Sequence, residues 1–343
     1  MFVKVGIIYK NMITKKLVSI ITPCFNGEVF IHRLLDSVLS QDYKYIEHII
    51  IDDGSTDDTA QIIKKYIPKY KEKGKTLIYR FQNNAKAGAA LNTGLKLFTG
   101  EYLTWPDSDD YYSQQDAISI MVNKINSSKC NIVRCDANLV DEISLKSELR
   151  FSDIKANLKN KNLFSDCIME NNFWFTPGCY LIMSKVLDEV IDDRDIFINN
   201  DAQNWQMLLP ILYSHKCYYI NEPLHNYLVR ANSDSHHSLD FKEAIAKTYK
   251  HEEIIIETLK RINKKKFFEE DYFKMVDKKY LLKRMKISFN YFEPYEFDKF
   301  FNTYKLNNKI SLKLILKKIL IKFPILYQFI FLVKSKSIYK NKL

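Results

Sequence analysis

The stretch "YLTWPDSDD", Tyr102 to Asp110, decides how the chain is read. Its first four residues read as a strand, and they deliver three carboxylates, Asp107, Asp109 and Asp110, within four positions. Like charges this close repel, and each resists losing its water. Either a ligand offsets that repulsion, or the segment is a solvated turn, where Asp and Ser are common. The choice turns on which other segments share its edge of the fold.

Working outward, Leu17–Thr22 is a short β-branched run and reads as a buried strand. Ile31, Leu34, Leu35, Val38 and Leu39 then recur at helical spacing. A strand at Tyr45–Ile51, a helix carrying Ile62, Ile63, Tyr66 and Ile67, a strand at Leu77–Phe81 and a helix at Ala89–Phe98 follow. Beyond the acids come a helix, Ala117–Ile125, and a strand, Ile132–Cys135. This alternation predicts an α/β fold, a mostly parallel sheet between helices. The polar stretches "TPCFNG", "DDGSTDDT", "QNNAKAG" and "PDSDD" each follow one of those strands. In an open α/β sheet the carboxyl ends of the strands share one edge, and ligands bind in the crevice there. Segments up to ninety residues apart in sequence therefore converge. An Asp-x-Asp pair on that edge has the hard oxygens to hold Mg²⁺ or Mn²⁺ and bridge a diphosphate. Asp52 and Asp53 precede a tight turn at Gly54 and can accept hydrogen bonds from a base or a ribose. Ser55 or Thr56 is expected to cap the next helix, with Asp57 and Asp58 near its positive end.

Taken in order, "VSIITPCFNG", "IEHIIIDDGSTDDT" and "NNAKAGAALNTGLKLFTGEYLTWPDSDD" resemble the nucleotide-binding half of family 2 glycosyltransferases with the GT-A fold. The likeness is nearly gapless from Leu17 to Ile125 and continues more weakly through "NNDAQNWQMLLPILY" and "YINEPLHNYLVR". It implies a nucleotide-sugar-binding half over 14–125 and an acceptor-binding half over 126–240; it does not cover the last hundred residues, and 241–343 reads from its own pattern as a helical, basic extension. It also implies a metal-dependent, inverting sugar transfer from a nucleoside diphosphate donor, usually UDP-linked. By that likeness Thr22 and Asp53 contact the base with Asp52 beside them, Asp107 lies near ribose and metal, and Asp109 is the direct metal ligand. Lys86 falls where a basic residue often stands near the base or diphosphate, whereas Leu91 replaces an Arg common in relatives. Asp201 is the candidate base that takes the acceptor's proton. Asn200 stands where many relatives carry a further acid, and Asp201 also suits the N-cap of a helix over 202–213. Asp192, Asp193 and Asp195 are nearby alternatives. His236, beside His237, is a further metal or diphosphate candidate, against the commoner reading of a surface loop. Trp174, Trp205 and Tyr180 suit either sugar stacking or core packing.

Composition narrows the alternatives. Neither G-x-G-x-x-G after the first strand nor a Walker G-x-x-x-x-G-K-[ST] is present, which excludes a dinucleotide oxidoreductase and a P-loop nucleotidase. The 343 residues carry 52 basic and 41 acidic side chains, net +11. Those cations concentrate beside aliphatic residues instead of aromatic ones, so no nucleic-acid partner is expected. Six cysteines without C-x-x-C spacing read as reduced thiols of a cytoplasmic protein, and no signal peptide is legible, Met12 being a candidate start. From Lys309 to Leu343 there are nine lysines and no acid. Ile310, Leu314 and Ile321 sketch an apolar face there, flanked by Lys317 and Lys318. That face suits an anionic membrane surface, hence a peripheral place on the inner face of the plasma membrane and a glycan or lipid-linked acceptor. A helix packed on the enzyme is the alternative. A catalytically silent nucleotide-sugar-binding or assembly subunit is the second functional reading, for which Asn200 and Leu91 leave room.

Overall fold

The computed structural model describes residues 16–155, 158–197, 203–230, 239–263, 271–324 and 327. The chain opens with β1 (Val18–Cys24), α1 (Ile31–Leu39), β2 (Ile46–Asp52), α2 (Thr59–Glu72), β3 (Thr76–Phe81), α3 (Lys86–Leu97) and β4 (Tyr102–Thr104). It continues through β5 (Tyr111–Tyr112), α4 (Ala117–Ser127), β6 (Ile132–Asp141), β7 (Ser147–Arg150), α5 (Phe151–Ile154) and α6 (Phe164–Met169). Then come β8 (Tyr180–Met183), α7 (Ser184–Val190), α8 (Gln203–Ser214) and β9 (Cys217–Val229). Four helices close the described chain: α9 (Phe241–Asn263), α10 (Asp271–Asn290), α11 (Pro294–Asn307) and α12 (Leu312–Leu320).

The strands form one sheet in the order β3-β2-β1-β4-β8-β6-β9-β5, with β7 on β6. β1 runs parallel to both β2 and β4, and β2 runs parallel to β3. These strands are apolar because helices cover them; every residue of β2 is buried. Past β4 the pairing turns antiparallel, β4 with β8, β8 with β6 and β5 with β9. The strand-helix alternation announced only the parallel half. Apart from β5, the strands of the antiparallel half lie beyond residue 126, where strands no longer alternate regularly with helices.

Close packing of α3 on β1 holds the parallel half together. A Cβ on Gly94 would stand 2.3 Å from Ile21 Cγ2, inside van der Waals contact. Ile21 is β-branched and fully buried, so its side chain has little room to move away.

The chain divides into two compact units that interleave along the sequence, unlike the contiguous blocks expected at 125 and 240. The first comprises the chain up to Lys161, Thr176–Ile196 and His215–Leu228. The second comprises Asn162–Phe175, Phe197–Ser214 and Val229–Leu343. Apolar faces of α6 and α8 explain why they join the C-terminal helices. Trp205 of α8 is buried, donates its indole N–H to the Cys167 carbonyl at 3.4 Å, and meets His251 of α9 edge-on at 5.1 Å. Lys279 of α10 is buried against Glu170 at 2.7 Å, an ion pair that keeps both charges matched. Leu281, Met285, Phe289, Phe297, Phe300, Phe301, Tyr304 and Ile321 form a core among α10, α11 and the end of α12.

Gly94→Ala improves helix propensity by up to about 1 kcal/mol, yet overpacks the α3–β1 contact at a cost of about 1–3 kcal/mol. The expected net result is a less stable protein, read as a lower urea midpoint with an unchanged m-value.

Candidate functional site

The four polar stretches meet at the carboxyl edge of β3, β2, β1 and β4. Register sets this: Cys24 lies opposite Asp52, and Asp52 lies opposite Phe81. Backbone bonds carry the alignment past the strand ends, from Asp53 N–H to the Cys24 carbonyl at 2.8 Å and from Gln82 N–H to the Asp52 carbonyl at 2.9 Å. Gly54 turns the chain with φ +82°, its Cα hydrogens lying close to Asn84, where a Cβ would stand 2.8 Å from the Asn84 nitrogen.

Side chains then tie the loops to each other. Asp53 Oδ1 accepts from Gln82 Nε2 at 2.7 Å and from Ala85 N–H at 2.9 Å, fixing the start of α3. Asp52 Oδ1 accepts from Ser55 N–H at 2.8 Å, and its Oδ2 accepts from the Tyr79 hydroxyl at 2.7 Å. Lys86 opens α3, exposed, with φ +72°. A lysine in that left-handed region is unusual.

Ser55 and Thr56 do not cap α2. The helix begins at Thr59 after Asp58, whose side chain makes no capping bond. Ser55 Oγ accepts from Asn26 N–H at 2.9 Å, and Thr56 N–H donates to Asn26 Oδ1 at 2.9 Å. Both residues precede the N-cap position, Asp58, and they lock the loop after β1 instead. Asp57 provides the local turn, accepting from Thr59 N–H at 3.1 Å.

Cys24 connects this group to the acid cluster. Its sulfur is buried and hydrogen-bonded to Ser108, and a Cβ on Gly27 would stand 2.6 Å from it. Burial pushes the thiol up to about 12; the Ser108 bond works the other way, and the charges of Asp52, Asp57 and Asp109 add to the rise. The fields of Asp52 and Asp109 therefore meet at one atom, which places the two acid groups on the same side of the molecule.

The three acids of the opening stretch have different fates. Asp107 and Asp109 are partly exposed on the loop between β4 and β5. Asp110 is buried; its Oδ1 accepts from Leu228 N–H at 2.9 Å and so anchors the loop to β9. His225 Nε2 stands 3.6 Å from Asp110 Oδ2. Burial lowers His225 to about 3, with Asp109 pulling weakly upward, so this ring is neutral at pH 7 and the contact is not an ion pair. The ring lies edge-on to Tyr112 at 5.4 Å and over Gly178, where a Cβ would stand 2.3 Å from Cε1.

Thr22 lies inside the sheet: its side chain has no exposed surface, and Oγ1 is 3.1 Å from His48 Nε2. Asp52 has no exposed surface either, and Asp53 only 3%. Leu91 is fully buried too, and offers nothing to a phosphate. Asp201 and His236 lie outside the described residues. Of the alternatives, Asp195 pairs with Lys96 at 3.1 Å, near the end of α3 remote from Lys86 and about 15 Å along the helix from it. Trp174, Trp205 and Tyr180 are all buried, as core aromatic residues are. All six cysteines are buried, and none of them forms a disulfide.

Two partly exposed carboxylates on a rim that also carries Asp52 and Asp53 suit a divalent cation. Mg²⁺ and Mn²⁺ bind through one or two protein carboxylates and complete their shells with phosphate and water. Among the described residues no group of three or more His, Cys, Asp or Glu side chains is arranged to hold a metal by protein alone.

The family model "Glycosyl transferase family 2" matches residues 19–191, about half of the chain. The chain belongs to that family. An uncharacterized glycosyltransferase of Rickettsia prowazekii is 32% identical over 205 residues, 57% of this chain and 59% of that protein. The GalNAc(5)-diNAcBac-PP-undecaprenol beta-1,3-glucosyltransferase of Campylobacter jejuni is 28% identical over 218 residues, 62% of this chain and 64% of that protein. The chain thus spans less than two thirds of these relatives. Staphylococcus aureus TarS 1-349 in complex with UDP-GlcNAc has the same fold, with TM-score 0.52 and 17% identity over 84% of this chain and 89% of that one. So does the mannosyltransferase PcManGT of Pyrobaculum calidifontis in complex with GDP-Man and Mn²⁺, with TM-score 0.51 and 13% identity over 92% and 86%. The family 2 chain therefore has the expected GT-A fold. Its missed residues are Tyr79, Gln82, Cys24 and Ser108, which hold the acids. Cys24, Gln82 and Ser108 stand within the stretches "TPCFNG", "QNNAKAG" and "PDSDD", and only Tyr79 lies outside them.

Asp110→Ala frees the Leu228 N–H and is expected to cost about 1–3 kcal/mol of stability, whereas the more exposed Asp109→Ala changes it by about 0.5 kcal/mol or less. Urea denaturation of both variants separates the anchor from the rim. His48, buried and also lowered to about 3 by burial, behaves like His225. Unfolding exposes both rings, which then take up protons below about 6.5, while the folded protein refuses them until about pH 3. Stability is expected to fall as pH drops through that window, seen as declining urea midpoints from pH 7 to pH 4.

Proposed function

We propose that this family 2 chain is an inverting, metal-dependent glycosyltransferase. It moves a sugar from a nucleoside diphosphate donor, UDP-linked in the first instance, to a glycan or lipid-linked glycan acceptor in bacterial cell-surface polysaccharide synthesis. The observation that carries this reading is the meeting of Asp52 and Asp53 with Asp107 and Asp109 on one sheet edge, where Cys24 feels the charges of both Asp52 and Asp109. So many carboxylates repel a diphosphate unless a cation stands between them.

In the proposed arrangement Thr22 and Asp53 contact the base, with Asp52 beside them, Asp107 lies near the ribose, and Lys86 approaches the base or diphosphate. Asp109, with Asp107, holds Mg²⁺ or Mn²⁺. When bound, that cation supplies positive charge against the leaving diphosphate. Asp201 takes the acceptor hydroxyl proton. The acceptor oxygen forms the new bond to the anomeric carbon, and the bond to the diphosphate breaks with its electron pair leaving on phosphate oxygen. Displacement from the opposite face inverts the centre. His236 is a further candidate near the diphosphate.

Support for the donor class comes from TarS, solved with UDP-GlcNAc, and PcManGT, solved with GDP-Man and Mn²⁺. Support for a lipid-linked acceptor comes from the Campylobacter jejuni relative, named for an undecaprenol diphosphate glycan. Such an acceptor places the chain in the cytoplasm, peripheral to the inner face of the plasma membrane. Among the described residues no helix is long and apolar enough to cross a membrane.

UDP, GDP and their sugars, titrated with and without Mn²⁺ by calorimetry, test donor class and metal dependence together. Asp109→Asn is expected to abolish the metal-dependent increment in donor affinity and turnover, with unfolding unchanged. Asp201→Asn is expected to keep donor binding and to lose transfer by roughly 10²-fold or more, the scale of a general base. Near-normal turnover of Asp201→Asn sinks that assignment. A wild type that binds UDP-sugar with Mn²⁺ but transfers or hydrolyses none favours the catalytically silent reading, for which the buried Leu91 leaves room.

A further inference from the structure

The apolar face read from Ile310, Leu314 and Ile321 is not the outer surface of α12. Ile321 is fully buried, and Ile310 and Leu314 pack on the α10–α11 core. Lys317 and Lys318 lie over the rings of Phe289 and Phe301 at 4.9 and 4.2 Å, and Lys318 pairs with Asp298 at 3.4 Å. The helix therefore meets its own unit through the side expected to face a membrane.

A second apolar stripe occupies the opposite side. Leu312, Ile315, Leu316, Ile319 and Phe323 follow the i, i+3, i+4, i+7, i+11 pattern, and each is exposed, from 41% at Ile315 to 71% at Leu312. At about 100° per residue these five lie within about 100° of one another, centred roughly opposite Ile321. Lys313 and Lys317 border the stripe on one side, and Lys318 and Lys322 border it on the other. Lys309 and Lys313 are exposed, and from Lys309 to Leu343 the sequence has no acid.

We infer that this outer stripe of α12 docks on an anionic lipid surface. Five apolar side chains reach the acyl boundary while the exposed Lys309 and Lys313 reach the headgroups, and Lys318 and Lys322 on the far border pair with Asp298. Charge separates this occupant from a second copy of the chain, because two such helices face to face bring lysine rows together. The inference deepens the peripheral placement proposed above and takes its biological setting from that reading; its test needs neither donor nor metal.

The full chain is co-sedimented with vesicles of phosphatidylcholine alone and with about one third phosphatidylglycerol, a strongly anionic surface. Binding is expected to the anionic vesicles only and to weaken as salt rises. L316E/I319E, whose side chains are exposed, is expected to lose roughly tenfold or more in vesicle affinity while unfolding as the wild type does. K309Q/K313Q is expected to lose several-fold. Asp109→Asn is expected to bind vesicles like the wild type, so a failure of the donor reading and a failure of the lipid reading are told apart. The inference is overturned by equal binding to neutral vesicles, or by L316E/I319E binding as well as wild type. It is also overturned if the wild type ignores vesicles and forms a dimer in sedimentation velocity that L316E/I319E abolishes.

Discussion

The candidate site depends on one constraint, the parallel register of β1 between β2 and β4. That register sets Cys24 beside Asp52, and the Cys24 sulfur in turn meets Ser108 of the acid loop. Segments separated by more than fifty residues are thereby held to hydrogen-bond precision. A slip of one residue would turn Asp52 and Cys24 to the other face of the sheet. The Gly94 contact with Ile21 and the continuous burial of β2 are what make such a slip costly.

Around that register the acids divide their work. Asp53, Asp52 and Asp110 are each committed to hydrogen bonds that shape loops, with Gln82 and Ala85, with Ser55 and Tyr79, and with Leu228. Asp107 and Asp109 remain on the loop with part of their surface open. The repulsion within "PDSDD" is thus met in two ways. One carboxylate is buried and bonded to backbone, and two keep solvent access. A chain with net charge +11 thus carries a locally acidic edge.

The second unit follows a different rule. Among its helices α12 is apolar on two opposite sides, one filled by the α10–α11 core and one open. A segment of alternating lysine and aliphatic residues supports both arrangements equally, because periodicity reports that faces exist and not which of them is covered. For the same reason the contiguous domain boundaries expected along the chain gave way to interleaved units. The apolar faces of α6 and α8 found partners among the C-terminal helices.

By itself the sequence determined the parallel half of the sheet, the edge at which its loops meet, and the family. Each of these follows from local signals: β-branched runs, helical spacing, a glycine turn, and acids placed directly after strands. Tertiary structure alone decided which polar groups are buried and what they bond. Thr22 sits at a strand end in a flagged motif, yet its hydroxyl turns inward to His48; Asp110 belongs to the acid cluster, yet it is spent on Leu228. The antiparallel half and the covered side of α12 were likewise decided by packing between segments distant in sequence. Burial and hydrogen-bond partnership are properties of neighbours across space, and the order of residues along one chain does not contain them.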